Sequence, residues 1–358
     1  MTGKKVVLIA PVPPPYGGIA NWTDLILRYA GERQEISFLT INTAIKSRGA
    51  VDGRSLWDRI VVSGFAMLKY NRSFRALIRQ EKPCAVHLTT SGQLALIRDN
   101  LLLSTAKRKG VPSVYHIRFG RTAEIAEKNT LEWRMMKRAI GKADVTVAID
   151  EKTYGALQQY CPDLKSVCIP NPVDLTRLPQ QQTETNTIAF LGWVIPQKGV
   201  EELLQAWQEL APHYPAWSLR LIGPYRSDFY AAMQEKYPQL RVTWVGELFH
   251  DAAMEEVSRC GIFTLPSYTE GFPNAVVEAM ALGKPIAATA VGAIPEMLSG
   301  CGEIVPPKDS AALKTALETL MNSPELRAAH GSTAQRRAQE QYALPVVFDR
   351  YLRLWNNR

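Results

Sequence analysis

The chain has 358 residues, enough for two domains of ordinary size, and its 46% hydrophobic and 21% charged residues are typical of a globular protein. No apolar run approaches the roughly 18 residues of a membrane span, and the apolar start is too short for a signal peptide. The five cysteines include no C-x-x-C pair, so they give no disulfide or zinc framework and suit a reducing cytosol.

The net charge of +8 is unevenly distributed along the chain. Residues up to 175 carry +11 and the remainder carries −3. This asymmetry indicates that the first half faces something anionic, and nucleic acid, anionic lipid and phosphorylated substrates are the candidates. No recognition motif or platform of interleaved aromatic and basic residues supports a nucleic-acid partner, so none is expected.

Apolar runs alternate with helical stretches along the whole chain, which is the pattern of parallel sheets built from βαβ units. In the first half the predicted strands are 5–10, 36–41, 84–88, 112–117 and 144–149, with helices at 18–30, 92–109 and 122–141. A turn-rich segment at 171–186 predicts an interdomain linker. In the second half the predicted strands are 187–192, 217–222, 241–245 and 261–265, with helices at 199–211, 227–235 and 251–257.

The pattern therefore predicts an α/β protein with two successive doubly wound parallel-sheet domains. We place these domains at residues 1–173 and 174–340, followed by a C-terminal helix in 341–358. Ligands in such sheets bind beyond the carboxyl ends of the strands, so a cleft between the domains is the expected site.

A predicted helix at 65–82 carries a basic stripe. Its cations recur at three- and four-residue steps, so they share one helix face: Lys69, Arg72, Arg75, Arg79 and Lys82. The apolar residues fall on the other face: Met67, Tyr70, Phe74, Leu77 and Ile78. A plain surface helix over the first core is one reading. Contact with an anionic membrane is the other, because each cation near such a surface contributes about 1 kcal/mol.

Residues 270–278 read E-G-F-P-N-A-V-V-E, with two glutamates separated by seven residues. A buried strand is predicted at 261–265 and a helix over about 275–282. A helix N-terminus carries unpaired N–H groups and suits a phosphate. Glu270 is therefore expected before the helix and Glu278 within its first turns. An ordinary loop acid and a first-turn acid are the alternative.

Three further segments place glycine or a cation at the end of a predicted strand. Gly17 and Gly18 let the backbone approach a ligand, although they do not form the G-x-G-x-x-G dinucleotide fingerprint. Lys198 precedes a helix, where it is either a solvated lysine or a point charge that neutralises a diphosphate. His116 ends a strand, with Arg118 just beyond it, and a histidine in a strand is more often packed than functional.

These segments resemble retaining glycosyltransferases of the GT-B fold, family 4. The nonapeptide from Glu270 matches the family's Glu-x7-Glu signature. Other family landmarks match in order and spacing: I-P-N-P-V-D (169–174), L-I-G-P (221–224) and V-G-E-L (245–248). The resemblance covers nearly all of the second domain and is patchier in the first, where only Gly17-Gly18 and His116 match.

The resemblance implies two Rossmann-like domains facing a cleft, with His116 and Glu270 in catalytic roles beside the transferred sugar. It implies that the last helix crosses back onto the first domain. It also implies a donor-binding set: Gly17, Gly18, Arg118, Lys198, Leu248, Gly271, Phe272, Asn274 and Glu278. In this set Lys198 would hold the diphosphate and Glu278 the ribose hydroxyls.

One position departs from the family pattern. The family usually shows Gly-Arg where this chain has Gly192-Trp193, which removes an expected phosphate-binding arginine. Arg118 or Arg121 could replace it, activity could be reduced, or Trp193 could stack on an acceptor or a base. The sequence leaves these options open.

The function implied by the resemblance is a cytoplasmic, retaining hexosyltransferase at the inner face of the plasma membrane. It would use a UDP- or GDP-sugar and a hydroxyl of a lipid-linked surface polysaccharide or lipopolysaccharide. It would need no cofactor, and no obligatory metal is expected because the chain lacks D-x-D. The alternatives are a nucleotide-sugar epimerase or hydrolase on the same fold, and a degenerate, non-catalytic partner protein.

Overall fold

The computed structural model describes residues 3–14, 17–44, 56–180 and 185–356, with backbone alone at 56–66 and 68. The chain divides into two compact units: residues 1–171 with 347–358, and residues 172–346. These divisions lie near the domain boundaries drawn from the sequence, after 173 and 340, without coinciding with them.

The first unit contains a six-stranded parallel sheet. Its strands in chain order are β1 (Lys4–Ala10), β2 (Ile36–Asn42), β3 (Ala85–Thr90), β4 (Ser113–Ile117), β5 (Val145–Ala148) and β6 (Ser166–Cys168). Its helices are α1 (Gly18–Arg33), α2 (Leu56–Glu81), α3 (Ala95–Arg108), α4 (Thr122–Glu127), α5 (Leu131–Ile140) and α6 (Glu151–Tyr160). The strand order β2-β1-β3-β4-β5-β6 changes direction between β1 and β3, which is the point where such sheets bind ligands.

The second unit contains another six-stranded parallel sheet. Its strands are β7 (Thr185–Leu191), β8 (Ser218–Ile222), β9 (Val242–Gly246), β10 (Cys260–Leu265), β11 (Ile286–Thr289) and β12 (Glu303–Val305). Its helices are α7 (Val200–Leu210), α8 (Ser227–Lys236), α9 (His250–Arg259), α10 (Asn274–Ala281), α11 (Ile294–Leu298), α12 (Ser310–Asn322) and α13 (Pro324–Arg337). The order β12-β11-β10-β7-β8-β9 changes direction between β7 and β10.

The central strands are buried along nearly their whole length. Every residue of β3, β4 and β10 is buried, as are the last five residues of β1. Strands covered on both faces need continuous apolar runs rather than alternation, which is why these segments were recognisable in the sequence. The expectation of two doubly wound α/β domains is confirmed.

A final helix, α14 (Leu344–Asn356), contributes its residues from Val347 onward to the first unit. There Phe348 packs edge-on against Tyr29, with ring centroids 5.0 Å apart. The indole Nε1 of Trp355 donates to Nδ1 of His87 at 3.1 Å. The aromatic face of α14 thus forms part of the first core.

Several element predictions were wrong in detail. The helix predicted over 122–141 is two helices, because Asn129 has φ of +44° and the Thr130 side chain caps the second helix at the Trp133 N–H. Helix α2 ends at Glu81, so Lys82, with φ of +46°, lies beyond the predicted basic helix. Strands β6, β11 and β12 were not predicted.

Candidate functional site

In the second unit, the loops after β7 and β10 meet at the point where the strand order changes direction. Gly199 has φ of +69°, and a Cβ on it would lie 2.7 Å from the carbonyl carbon of Pro266. The N–H of Tyr268 donates to the Gln197 carbonyl oxygen at 3.0 Å. Glycine is therefore required where the Lys198 loop touches the loop that carries Glu270.

Lys198 and Glu270 form an ion pair across this contact. Lys198 Nζ donates to Glu270 Oε1 at 2.6 Å, and Ser267 Oγ donates to the same oxygen at 2.6 Å. The two charged side chains are 27% and 12% exposed, so the pair is largely covered yet open on one side. The sequence predicted Lys198 and Glu270 as site residues but did not predict that they pair, and it missed Ser267.

The backbone of the Glu270 loop is fixed by its neighbours. Thr289 Oγ1 donates to the Ser267 carbonyl oxygen at 2.6 Å, and the Ala293 N–H donates to that of Gly271 at 2.9 Å. Phe272 is buried and packs edge-on against Tyr342 at 5.5 Å. The Phe272 side chain therefore anchors the loop, and only its backbone remains as a candidate ligand contact.

Glu278 lies in the second turn of α10, which begins at Asn274, and it meets a histidine that the sequence analysis missed. His250 Nε2 lies 2.9 Å from Glu278 Oε1, and His250 Nδ1 lies 3.3 Å from Asp251 Oδ1. Arg177 in turn donates to Asp251 at 3.1 Å. The hydrogen bond to Glu278 is the largest cause that raises the pKa of His250 above its ordinary value.

The remaining second-unit predictions lie in loops at the same edge of the sheet. Trp193 follows β7, is 54% exposed, and is held beside the next loop because the Val194 N–H donates to the Pro224 carbonyl oxygen at 2.9 Å. Leu248 is half-buried between β9 and α9, two residues before His250. Its place in this loop leaves Leu248 a candidate for a donor contact.

In the first unit, His116 at the end of β4 lies in a buried aromatic cluster. Its Nδ1 is 3.1 Å from Nε2 of His87, and the ring packs against Trp22 and Tyr351. Burial lowers the pKa of His116 well below its ordinary value and that of His87 to about 3, so both imidazoles are neutral. Among the described residues, Nε2 of His116 has no hydrogen-bond partner.

Arg118 packs over this cluster and reaches the glycine loop after β1. Its guanidinium lies 4.7 Å from the Trp22 ring centroid, and Nη2 donates to the Gly18 carbonyl oxygen at 3.4 Å. Burial lowers its pKa to about 10, and its Nε and Nη1 have no partner within the described part of the chain. A Cβ on Gly17 or Gly18 would meet nothing within 4 Å, so packing alone does not require these glycines.

Arg121, the other arginine considered as a replacement for the missing one, is exposed and lies 3.5 Å from Glu132. The two units thus present separate groups of candidate residues. Lys198, Glu270 and Glu278 belong to the second unit, whereas His116 and Arg118 belong to the first.

No group of three or more His, Cys, Asp or Glu side chains within the described ranges could hold a metal ion. None of the helices that the structure describes is long and apolar enough to cross a membrane.

Two family models match consecutive parts of the chain. The model described as Glycosyltransferase Family 4 matches residues 16–177, and the model described as Glycosyl transferases group 1 matches residues 177–337. Together they span both units.

Individual relatives are more distant. A lipopolysaccharide core biosynthesis mannosyltransferase of Rhizobium meliloti is 27% identical over 248 residues, covering 61% of this chain and 68% of that protein. The chain spans 59% and 23% of the length of two other curated relatives that it matches.

Solved structures match over nearly the full length. Sucrose-phosphate synthase from Thermosynechococcus elongatus has a TM-score of 0.78 at 16% identity, covering 98% of both chains. HepE from Anabaena in complex with UDP has a TM-score of 0.72 at 15% identity, also covering 98% of both chains. At these identities the likeness shows the fold.

Proposed function

Because the chain belongs to the family 4 glycosyltransferases of the GT-B fold, we propose that it transfers a sugar from a nucleotide-diphosphate sugar to a hydroxyl of a growing surface polysaccharide or lipopolysaccharide. UDP- and GDP-sugars are the proposed donors. The observation that carries the proposal is the Lys198–Glu270 pair, which stands where the second sheet changes direction and where such sheets bind nucleotides.

In the proposed reaction the bound donor separates this ion pair and contacts both of its members. The diphosphate replaces the Glu270 carboxylate beside Lys198, and the ammonium group then stabilises the negative charge that develops on the leaving group. Glu270, still held by Ser267 at 2.6 Å, becomes available to the hydroxyls of the transferred sugar. The positively charged N-terminus of α10 adds to the attraction for phosphate.

Glu278 is proposed to bind the ribose hydroxyls. A carboxylate accepts two hydrogen bonds from a vicinal diol, provided that its rotamer is fixed. His250, 2.9 Å from Oε1, supplies that restraint, and the exposed fraction of Glu278, 18%, leaves the carboxylate accessible from one side. His250 therefore acts as a positioning residue.

Transfer is proposed to retain the anomeric configuration, with attack from the leaving-group face and no covalent intermediate. In this proposed route no residue acts as a dedicated nucleophile and no metal is required. His116 is proposed to contact the transferred sugar, because its neutral ring keeps Nε2 without a partner among the described residues. Trp355 donates to His87 Nδ1, so the neutral His87 ring donates from Nε2 to His116 Nδ1. Nε2 of the neutral His116 ring therefore carries its proton and is a hydrogen-bond donor.

The proposed acceptor and location rest on the relatives and on charge. The curated relative named for lipopolysaccharide core biosynthesis supports a polysaccharide product, and the structure of HepE with UDP supports a nucleotide-sugar donor. On α2, Lys69, Arg72, Arg75 and Arg79 are exposed while Phe74 and Ile78 are buried. We propose that this basic face meets anionic lipid at the cytoplasmic face of the membrane, where a lipid-linked acceptor resides.

The test is a panel of UDP-, GDP-, ADP- and dTDP-sugars measured by thermal shift with wild type, Glu278→Ala and a matched control. The control is Glu235→Ala, which removes an exposed carboxylate from α8 that has no ion-pair partner in the described residues. A ligand at a hundredfold excess over Kd stabilises by about 2.7 kcal/mol, which shifts a melting curve. One donor should stabilise wild type and Glu235→Ala but not Glu278→Ala.

Stabilisation by no nucleotide sugar would overturn the donor site and favour the degenerate-partner alternative. If a donor binds, incubation without acceptor separates the enzyme classes. Release of a free or epimerised sugar, followed by NMR, would identify a hydrolase or epimerase instead of a transferase. With a competent acceptor, the anomeric proton coupling of the product tests retention.

A further inference from the structure

A groove of about 690 Å³ lies between α2 and the C-terminal end of α3 in the first unit. Five cations line it: Arg72, Arg75, Arg79, Arg108 and Lys109. The other described lining residues are Ala76, Ile78 and Thr105, so the described lining contains no carboxylate. This volume is within the range of small-molecule sites, but the charge makes the groove suited to an anion and not to an apolar ligand.

The groove has a fixed floor. Thr105 Oγ1 donates to Asn71 Oδ1 at 2.8 Å, and both residues are buried, so this bond ties α3 to α2 beneath the cations. Buried Ile78 closes the floor from the α2 side. The arginines therefore project from a packed pair of helices.

No carboxylate that the structure describes neutralises the five cations. Within the described part of the chain none of them has a carboxylate within ion-pair distance, and Arg108 Nε donates to the Ser104 carbonyl oxygen. The acid at the end of α2, Glu81, is already bound by Lys5 at 2.7 Å. Cations at the C-terminal end of α3 also complement its helix dipole, which accounts for Arg108 in the last turn and Lys109 at the C-cap but not for the three arginines on α2.

The groove is distinct from the candidate donor residues of the same unit. Helix α3 ends just before β4 begins, and α2 ends just before β3 begins, so the groove lies toward the amino-terminal edge of the parallel sheet. His116 follows the end of β4 and Gly18 follows the end of β1, at the opposite edge. The groove and these candidate donor residues therefore lie at opposite edges of the sheet.

We propose that this groove is a second anion-binding site, which takes a linear di- or polyphosphate group. Arginines three and four residues apart have Cβ atoms about 5–6 Å apart, so a ligand with successive phosphates can contact several of them. Guanidinium groups bind phosphate through paired N–H donors. The lining residues that the structure describes include no aromatic side chain, so they offer none of the stacking that accompanies single-stranded nucleic-acid binding. Three of these arginines, Arg72, Arg75 and Arg79, are also proposed above to meet anionic lipid, whereas the transfer reaction itself involves none of the groove residues.

The test is calorimetric titration with sodium tripolyphosphate at 150 mM NaCl, roughly physiological ionic strength. Wild type is compared with Arg75→Ala/Arg79→Ala and with a control, Arg138→Ala/Lys152→Ala. The control removes two exposed cations of the same unit that do not line the groove. Lys198→Ala separates this site from the proposed donor site. The groove variant should bind at least about tenfold more weakly, and the other two variants should keep the groove affinity.

Each outcome decides the proposal. Equal affinities in wild type and the groove variant, equal losses in the groove and control variants, or a loss only in Lys198→Ala would each overturn it. Should the alanine variant fail to fold, Arg75→Gln/Arg79→Gln keeps most of the side-chain volume. This variant should also bind tripolyphosphate at least about tenfold more weakly than wild type.

A second arm distinguishes a soluble phosphate from a lipid headgroup. Flotation with vesicles of phosphatidylcholine and phosphatidylglycerol is repeated with added tripolyphosphate. Release of wild type by tripolyphosphate would show that lipid phosphates occupy the groove. Tripolyphosphate binding that depends on the groove, without vesicle binding, would show a soluble ligand. Both results support the site. Vesicle binding that depends on the groove, without tripolyphosphate binding, would leave only the membrane contact proposed for α2 and overturn the polyphosphate site.

Discussion

Replacing Gly199 by alanine should damage both stability and donor binding, by more than its backbone conformation alone explains. Gly199 has φ of +69°, and an L-residue in that conformation costs about 1–2 kcal/mol. Its Cβ would also overlap the Pro266 carbonyl group, with the carbonyl carbon only 2.7 Å away. Forcing an atom into packed backbone typically adds about 1–3 kcal/mol, so the total loss should be about 2–5 kcal/mol.

Gly300 provides a matched control in the same unit. It has φ of +70°, and a Cβ on it would meet nothing within 4 Å, so Gly300→Ala should cost only the backbone term of about 1–2 kcal/mol. Urea unfolding followed by tryptophan fluorescence measures the difference. Displacement of the Lys198 loop should also weaken the donor by up to about a hundredfold in Gly199→Ala alone. Equal stability losses in the two variants would refute the contact between the Lys198 and Glu270 loops.

Three further predictions concern titration and the missing arginine. Unfolded His87 gains a proton below about pH 6.5 that the buried residue, with a pKa of about 3, does not. The contribution of His87 to the free energy of unfolding should therefore fall by up to about 1.4 kcal/mol per pH unit as pH drops from 6.5 toward 3, and His116, whose pKa is also lowered, adds to this fall. Urea unfolding at a series of pH values should show a weaker pH dependence of the free energy of unfolding in His87→Asn. His250 has a raised pKa, so its bond to Glu278 stabilises fully below about pH 6.5 and fades as pH rises through the raised value. The half-exposed pair should contribute less than about 1 kcal/mol, and His250→Gln should lose stability at pH 6 but match wild type at pH 9. Trp193→Arg should tighten UDP binding about tenfold if the position still faces phosphate, since a charged hydrogen bond contributes about 1.5–3 kcal/mol; weaker binding in calorimetry would show instead that the indole stacks on the ligand.

The fold could be predicted wherever burial left a long apolar run in the sequence. Strand β10 and the helix after it were found almost to the residue, because a fully buried strand and a helix stop at Gly283-Lys284-Pro285 are local signals. Strands β6, β11 and β12 have three or four residues each, too few for a periodic pattern. The break between α4 and α5 depends on one residue, Asn129, in a conformation that the surrounding helical periodicity does not show.

The candidate site likewise contains some residues that the sequence could identify and others that it could not. Glu270 and Glu278 are linked by their spacing within one loop and helix, so the sequence could propose them together. His250 lies 28 residues from Glu278, and its role depends on α9 lying beside α10. The His87–His116 contact likewise joins two neighbouring strands. The sequence predicts that both strands are buried, but not that these two side chains meet. Such contacts are tertiary, and no local pattern encodes them.

The pairing of Lys198 with Glu270 has a consequence for selectivity. A ligand that enters must separate an ion pair of 2.6 Å whose members are mostly covered, and each member left without a partner would raise the free energy of the complex. A phosphate alone satisfies Lys198 and leaves Glu270 with only the Ser267 hydroxyl. A free sugar binds Glu270 and leaves Lys198 without an anionic partner. A nucleotide-diphosphate sugar, the proposed donor, supplies both partners in one molecule, so the Lys198–Glu270 ion pair disfavours the fragments relative to the intact molecule.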